Sequence, residues 1–228
     1  MIPYYSILIP IHNERDSISS LLESLAIFKR KGNEILIIDD GSTDGSTELL
    51  KKSKLINLIS LNTNKGKGFA IQQGLQKAKF NKILIFDGDL ELDPLEISKL
   101  MILNRSNGIH CVMGYRFANL NPIISPYNWG NFMFTSFFNI FFKSNHRDIL
   151  CCAKSFYLDE IKKKYVIKSN GFDIDVELSS ILTFINKNKL IPQVLLKYNR
   201  RNINEGKKLQ ISDGWIILAR TIRMIKYL

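Results

Sequence analysis

Asp87-Gly88-Asp89 sets two carboxylates on either side of a glycine, directly after the apolar run Lys82–Phe86 (KILIF). In an extended chain alternate side chains point the same way, so both acids face one side, and Gly88 lets another group approach the backbone. Hard oxygen donors so arranged suit Mg²⁺ or Mn²⁺, which keep water ligands and bind substrate phosphates as well. Glu91 lies two residues on and can add a further oxygen. The same residues also suit a plain turn. A second acidic group, Asp39-Asp40-Gly41-Ser42, closes the apolar run Glu34–Ile38 (EILII). It can accept hydrogen bonds from a base or a ribose, or cap the next helix. The third group, Asn64-Lys65-Gly66-Lys67-Gly68, opens a helix. It is not a dinucleotide fingerprint, because Ile71 stands where the last glycine would fall, and it lacks the Gly-Lys-Ser/Thr ending of a P-loop. It offers backbone N–H groups and Lys67 near a helix start, a setting that suits a diphosphate or a simple turn.

These groups need elements to hold them. Tyr5–Ile9 (YSILI) reads as a strand closed by Pro10, and Asp16–Phe28 as a helix with Ile18, Leu21, Leu22, Leu25 and Phe28 at helical spacing. Glu34–Ile38 and Lys82–Phe86 are continuous apolar strands of the kind buried on both faces of a parallel sheet. Leu55–Leu61 and His110–Gly114 are further strands, with helices expected at Ser46–Lys52, Gly68–Ala78 and Pro94–Leu103. Such repetition predicts an α/β fold, an open and mostly parallel sheet flanked by helices. Ligands in these sheets bind beyond the carboxyl ends of the strands. Here those ends carry Asn13-Glu14, Asp39-Asp40, Asp87-Gly88-Asp89 and Arg116. Polar groups from four strands converging on one edge are the main functional signal of the pattern. The second half is less regular. Helices are expected at Asn128–Phe142, 155–164, 173–188 and Asp213–Leu228, a strand at Ile191–Tyr198, and a basic loop at 199–208. No repeat or low-complexity linker divides the chain, so residues 1–228 are expected to form one domain.

Of the 228 residues, 45% are hydrophobic and 23% charged, which excludes wholesale disorder. Lys and Arg number 32 against 21 Asp and Glu, a net charge of +11. The excess is uneven: residues 1–142 carry 15 basic and 13 acidic side chains, and residues 143–228 carry 17 and 8. The second half is therefore expected to face something anionic. Cys111, Cys151 and Cys152 exclude a disulfide scaffold and point to a reducing cytosol. His12, His110 and His146 are too scattered for a metal cluster. No stretch reaches the roughly 18 apolar residues of a membrane span. The closest, Phe132–Phe142, is shorter and contains Asn139, and the N-terminus lacks the basic segment of a secretory signal. The expectation is a cytoplasmic protein, soluble or resting on the inner face of a membrane.

Taken in order, Ile9-Pro10-Ile11-His12-Asn13-Glu14, EILIIDDGSTDGS (34–46), NKGKGFAIQQGL (64–75), FDGDLELDP (86–94) and MGYRF (113–117) resemble the inverting family 2 glycosyltransferases of GT-A fold. Within that family the similarity is to the dolichyl-phosphate mannosyltransferase-like branch. It continues more weakly through ILCCAKSF (149–156), GFDIDVELSS (171–180) and YNRRNINEGKK (198–208). Three positions depart from the pattern. Cys152 replaces a glycine, His12 stands where tyrosine is commoner, and position 91 is often Gln or Ser. The resemblance implies a metal-dependent transfer of sugar from a nucleoside-diphosphate sugar, with residues 1–120 binding the donor and 121–228 the acceptor. It implies that Pro10, His12, Glu14, Ile38, Asp40, Lys67, Gly88 and Asp87 lie against the donor. Asp87, Asp89 and Glu91 would hold Mg²⁺ or Mn²⁺. Arg116, Arg201 and Lys207 would meet phosphates of the donor or of an anionic acceptor. Asp175 or Glu177 would act as general base toward a hydroxyl acceptor. A phosphate acceptor needs no base, and two acids also suit a helix start.

The acceptor is expected to be an anionic lipid phosphate, or a glycan or lipid hydroxyl. Trp129, Phe132, Phe134, Phe137, Phe138, Phe141 and Phe142 form an aromatic stretch, and the last helix interleaves apolar residues with Arg220, Arg223 and Lys226. Both suit contact with a bilayer, and equally a core or a dimer interface. Other classes compete. Nucleotidyl transfer wants a glycine-rich signature at the first strand, where Pro10–Glu14 stands instead. A nucleic-acid-binding module fits the charge but not the acidic strand ends, so no nucleic acid is expected. A degenerate transferase that only binds nucleotide sugars is the remaining alternative.

Overall fold

The structure, a computed structural model, describes residues 4–163, 165–187, 189–201 and 213–226. Continuous apolar runs form the centre of the sheet: β1 (Tyr5–Ile11), β2 (Glu34–Asp39) and β4 (Lys82–Ile85) are buried along their whole length. With β3 (Asn57–Ser60), β5 (Cys111–Tyr115), β6 (Lys154–Tyr157) and β7 (Gln193–Leu195) they make a seven-stranded sheet of order β3-β2-β1-β4-β6-β5-β7. β6 runs antiparallel to both neighbours, and the other pairs are parallel. The open, mostly parallel sheet expected from the sequence is therefore present.

Alternation along β1 divides the core. Ile7, Ile9 and Ile11 belong to one apolar cluster, whereas Leu8 belongs to the other. The first face is covered by α1 (Arg15–Arg30), whose Ile18, Leu21, Leu25 and Phe28 are buried at helical spacing. Burial of each such side chain contributes about 1.5–3 kcal/mol, so this stripe anchors the loop that joins β1 to α1. The second face is covered by α3 (Lys67–Lys77) and α7 (Ile174–Ile185). Short α2 (Ser46–Lys51), α4 (Ile97–Leu100) and α6 (Leu158–Lys162) fill the connections, and α5 (Pro126–Phe142) packs against α8 (Asp213–Ile225).

Three elements differ from expectation. Residues 155–157, read as the start of a helix, belong to strand β6, with Lys154 and Ser155 fully buried. The helix expected from Pro94 to Leu103 is a 3-10 turn, Pro94–Glu96, followed by one turn of α4. The strand expected at Ile191–Tyr198 is only β7, and Tyr198 forms a separate bridge to Leu92. Among the described residues, no helix is long and apolar enough to cross a membrane.

Candidate active site

The carboxyl ends of β1, β2, β4 and β5 share one edge of the sheet and surround a cavity of about 550 Å³. That volume lies within the range of small-molecule sites. Pro10, His12 and Glu14 line it from β1, Asp40 from β2, and Lys67 from the first turn of α3. Asp87, Gly88, Asp89 and Glu91 line it from β4, Arg116 from β5, Asp175 from α7, and Arg201 from the segment after β7. The approach of Gly88 to β1 is close enough to require its residue type: a Cβ there would lie 2.5 Å from Ile11 Cγ2.

Two predicted positions are corrected. Ile38 is fully buried under α3 and does not reach the cavity. Glu177 does not reach it either, because its carboxylate accepts the N–H groups of Lys168 and Ser169 at 2.7–3.1 Å. Lys207 lies outside the described residues.

Lys67 is the centre of the charged cluster. Its ammonium donates to Asp87 at 2.9–3.0 Å and to Asp175 Oδ2 at 3.0 Å. Burial alone would lower its pKa, but the charges of Asp175 and Asp87 hold it well above the usual range. Burial likewise opposes ionisation of Asp87, and the Lys67 charge overrides it, keeping this carboxyl below its ordinary value. Cys152, at the position where the resemblance leads one to expect glycine, lies close enough to Asp87 to help hold its carboxyl low. Burial and the Asp87 charge keep that thiol protonated. Asp89 behaves oppositely to Asp87. Burial and the charges of Asp87 and Glu91 push it up to about 7. Asp175 Oδ1 is buried without a hydrogen-bond partner.

Other side chains hold the walls. Asp40 Oδ1 and Oδ2 accept the N–H groups of Lys65 (2.8 Å) and Gly66 (2.7 Å), so it fastens the loop that presents Lys67. Gly66 adopts φ +97°, and a Cβ there would fall 2.4 Å from the Asn170 carbonyl oxygen. Arg201 bridges the edge: its guanidinium donates to Glu14 Oε2 at 2.8 Å and its N–H to Glu91 Oε1 at 3.0 Å. Arg116, expected to meet phosphate, instead forms a bidentate pair with fully buried Asp148 at 2.7 and 3.0 Å. Asn131 donates to the same carboxylate at 2.8 Å. Sequence reading missed Arg200, which lines the cavity with Phe117, Tyr127 and Tyr198 around it and donates to Ser125 and Asn128. The signal available was its place beside Arg201 in a Tyr-Asn-Arg-Arg run.

The carboxylates that could hold a metal are Asp87 and Asp89, which both line the cavity. With Glu91 engaged by Arg201, no group of three ligating side chains stands ready among the described residues. Two hard carboxylates, one of them disfavoured as an anion by its neighbours, fit a divalent cation that arrives with a diphosphate and completes its shell with phosphate and water.

The fold and this strand-end cluster define an α/β protein with a charged cavity at the carboxyl edge of its sheet, and comparison with known proteins places it further. The description Glycosyl transferase family 2 matches residues 6–165, so the chain belongs to that family. It is 37% identical over 105 residues to undecaprenyl-phosphate 4-deoxy-4-formamido-L-arabinose transferase of Aeromonas hydrophila, covering 42% of this chain and 32% of that protein. It is 35% identical over 89 residues to poly-beta-1,6-N-acetyl-D-glucosamine synthase of Staphylococcus aureus, covering 38% of this chain and 22% of that protein. The chain thus spans about a third of the length of the first of these relatives and less of the second. In structure it is similar to glucosyl-3-phosphoglycerate synthase of Mycobacterium tuberculosis, solved with Mn²⁺, uridine diphosphate and phosphoglyceric acid. The TM-score is 0.77 at 16% identity, covering 98% of this chain and 78% of that one. Mannosyl-3-phosphoglycerate synthase of Rubrobacter xylanophilus gives 0.75 at 15% identity, covering 99% and 73%. These structural likenesses establish the GT-A glycosyltransferase fold expected from the sequence.

Proposed function

We propose that the chain transfers a sugar from a nucleoside diphosphate to a phosphate-bearing acceptor, with inversion at the anomeric carbon. The observation that carries this reading is Lys67. One ammonium touches Asp87, at the end of the strand bearing the metal carboxylates, and Asp175, on the helix that closes the far side of the cavity. Donor and acceptor halves therefore meet at a single buried charge. Mg²⁺ or Mn²⁺ on Asp87 and Asp89 would supply charge to the leaving diphosphate when bound. Lys67 stands where negative charge grows as the bond to the anomeric carbon breaks, and a fixed charge in a site shielded from water stabilises that change strongly. The acceptor enters from the side opposite the departing diphosphate, which inverts the centre. Asp175 Oδ1, buried and unpaired, is placed to take a proton from a hydroxyl acceptor; an ionised phosphate acceptor leaves it only a positioning role. Arg200 supplies a cation on the acceptor wall. The name of the undecaprenyl-phosphate 4-deoxy-4-formamido-L-arabinose transferase supports a phosphate-bearing acceptor, while that of the poly-beta-1,6-N-acetyl-D-glucosamine synthase fits the alternative of a glycan hydroxyl.

The test is a thermal shift with Mn²⁺ or Mg²⁺ and UDP, GDP, dTDP or CDP, on wild type and Asp89→Ala. A ligand at about 100 times its dissociation constant should add roughly 2.7 kcal/mol. One diphosphate should stabilise the wild type with metal, and Asp89→Ala should lose the effect. If no nucleotide shifts the wild type at any metal concentration, the donor-site reading fails.

A further inference from the structure

The basic excess of residues 143–228 does not gather at the catalytic cavity. Of its 17 cations, only Arg200 and Arg201 line that space among the described residues. Others stand at the opposite edge of the sheet, where Lys162, Lys163, Lys187 and Lys189 are exposed at or just beyond the C-terminal ends of α6 and α7. A lysine at a helix C-terminus ordinarily complements the dipole. Here Lys163 and Lys189 also border a second cavity, of about 230 Å³, with His110, Glu160 and Ile185. The polar groups around it are tied in a line. Arg105 donates to Asp159 Oδ1 at 2.5 Å and, through Nε, to Glu160 Oε1 at 3.1 Å. His110 Nδ1 meets the same Glu160 oxygen at 2.8 Å, and Lys189 Nζ lies 3.1 Å from His110 Nε2. An ammonium only donates, so Nε2 accepts and the ring proton sits on Nδ1, facing the carboxylate.

We propose that this second cavity binds a small phosphate-bearing anion, at a site separate from those of donor and acceptor. The charge balance selects an anion. Glu160, the acid in the lining, is already engaged by the Arg105 guanidinium and the His110 ring. Arg105, Lys163 and Lys189 together outnumber Asp159 and Glu160, which leaves a positive charge beside the cavity. Lys189 spends its hydrogen bond on a neutral ring, and an ionised oxygen is the stronger partner for an ammonium. The concavity selects a small molecule, because its volume falls below the usual range of drug-sized sites. Ile185 offers an apolar side chain to the carbon substituent of a phosphate ester. Two elements join this site to the catalytic cavity. α7 carries Ile185 at one end and Asp175, roughly 15 Å away, near the other. β5 begins beside His110 and ends beside Arg116. A ligand here therefore bears on the elements that hold Asp175 and Arg116 without touching either. The assignment goes beyond the proposed function and does not depend on the donor reading.

The three histidines of the chain make the experiment direct, because each stands in a different setting. His12 lines the catalytic cavity, His110 the second cavity, and His146 is buried. Ring proton–carbon NMR spectra of the whole chain, labelled at histidine and assigned with His110→Gln, are followed as inorganic phosphate or glucose 6-phosphate is added. Ionic strength is held constant, and no nucleotide or divalent metal is present. The His110 signal should move and saturate while those of His12 and His146 stay in place. The tighter of the two probes tells whether free phosphate or an ester is the natural source. Lys163→Gln leaves the Lys189–His110 contact intact and should weaken binding at least threefold. Adding Lys189→Gln should bring the loss to at least tenfold, with an unchanged melting temperature because both positions are exposed. The same movement with sodium chloride would overturn the proposal, as would unchanged affinity in the double variant. Movement of His12 in place of His110 would also overturn it, putting the phosphate in the catalytic cavity. So would displacement of phosphate by a short DNA duplex at lower concentration than by glucose 6-phosphate, which would give this face to a nucleic acid. The nucleotide thermal shift is a separate measurement, so either reading can fail without the other.

Discussion

Asp148→Asn separates two roles for Arg116, phosphate binding and structural pairing. In the structure the Asp148 carboxylate is fully buried and takes two guanidinium N–H groups, while the Arg116 side chain keeps 20% of its surface. Removing one partner of a buried pair costs about 3–5 kcal/mol, because the other charge is left uncompensated. The access of Arg116 to the cavity moves the expected cost to the low end, about 3 kcal/mol. For a chain of this size each kcal/mol shifts the melting temperature by about 2–4 °C, so the expected drop is roughly 6–12 °C. Urea titration of Asp148→Asn, Arg116→Gln and the double variant then measures the coupling. Structural pairing requires the double variant to lose much less than the sum of the singles, by at least about 1.5 kcal/mol. Losses that add within about 0.5 kcal/mol, the behaviour of independent sites, would refute the pairing. A near-neutral Arg116→Gln that abolishes the nucleotide thermal shift would return this arginine to a phosphate role.

Three other outcomes follow from the packing. Burial and the Lys154 charge lower His146 from 6.5 to about 4. The unfolded chain thus takes up a proton near pH 6.5 that the folded one refuses until about pH 4, and stability falls as pH drops through that window, by about 3 kcal/mol in all. In His146→Gln, urea midpoints should lose most of that slope, and an unchanged slope would contradict the burial. Glu177→Gln should cost about 1.5–3 kcal/mol by weakening the charge-assisted bonds to Lys168 and Ser169. It should leave transfer rates below the melting transition near wild type, and a large fall in kcat would restore Glu177 as a general base. Gly88→Ala, whose Cβ would meet Ile11 at 2.5 Å, should cost about 1–3 kcal/mol by overpacking and abolish metal-dependent nucleotide stabilisation. Retention of full stabilisation would show that the turn tolerates displacement.

The sheet centre was legible because β1, β2 and β4 are apolar without interruption, a pattern only a doubly covered strand needs. Convergence of Glu14, Asp40, Asp87 and Arg116 followed from strand ends in a parallel sheet. β6 was not legible. Its polar Lys154 and Ser155 are fully buried, and they are satisfied by the carbonyl oxygens of Cys151 and Leu100. Neither partner lies in the strand, so no local periodicity announces it. The sequence also marks an acid at a strand end without saying what that acid faces. Asp40 turns to the Lys65–Gly66 backbone, and Arg116 to a carboxylate 32 positions on. Arg200 was missed because its hydrogen-bonding partners Ser125 and Asn128 stand 75 and 72 residues away.

The reversed strand β6 acts as a spacer with a set width. Because it lies between β4 and β5, the ends that carry Asp87 and Arg116 are two inter-strand steps apart, roughly 9.5 Å. No side-chain replacement on either strand alters that distance. The gap is instead closed by the segment that enters β6 from the same edge, where Leu150 lines the cavity and Cys152 lies near Asp87. The width of the cavity at that point is thereby set by a few residues ahead of one short strand, and substitutions there reshape it without disturbing the parallel sheet that carries the charges.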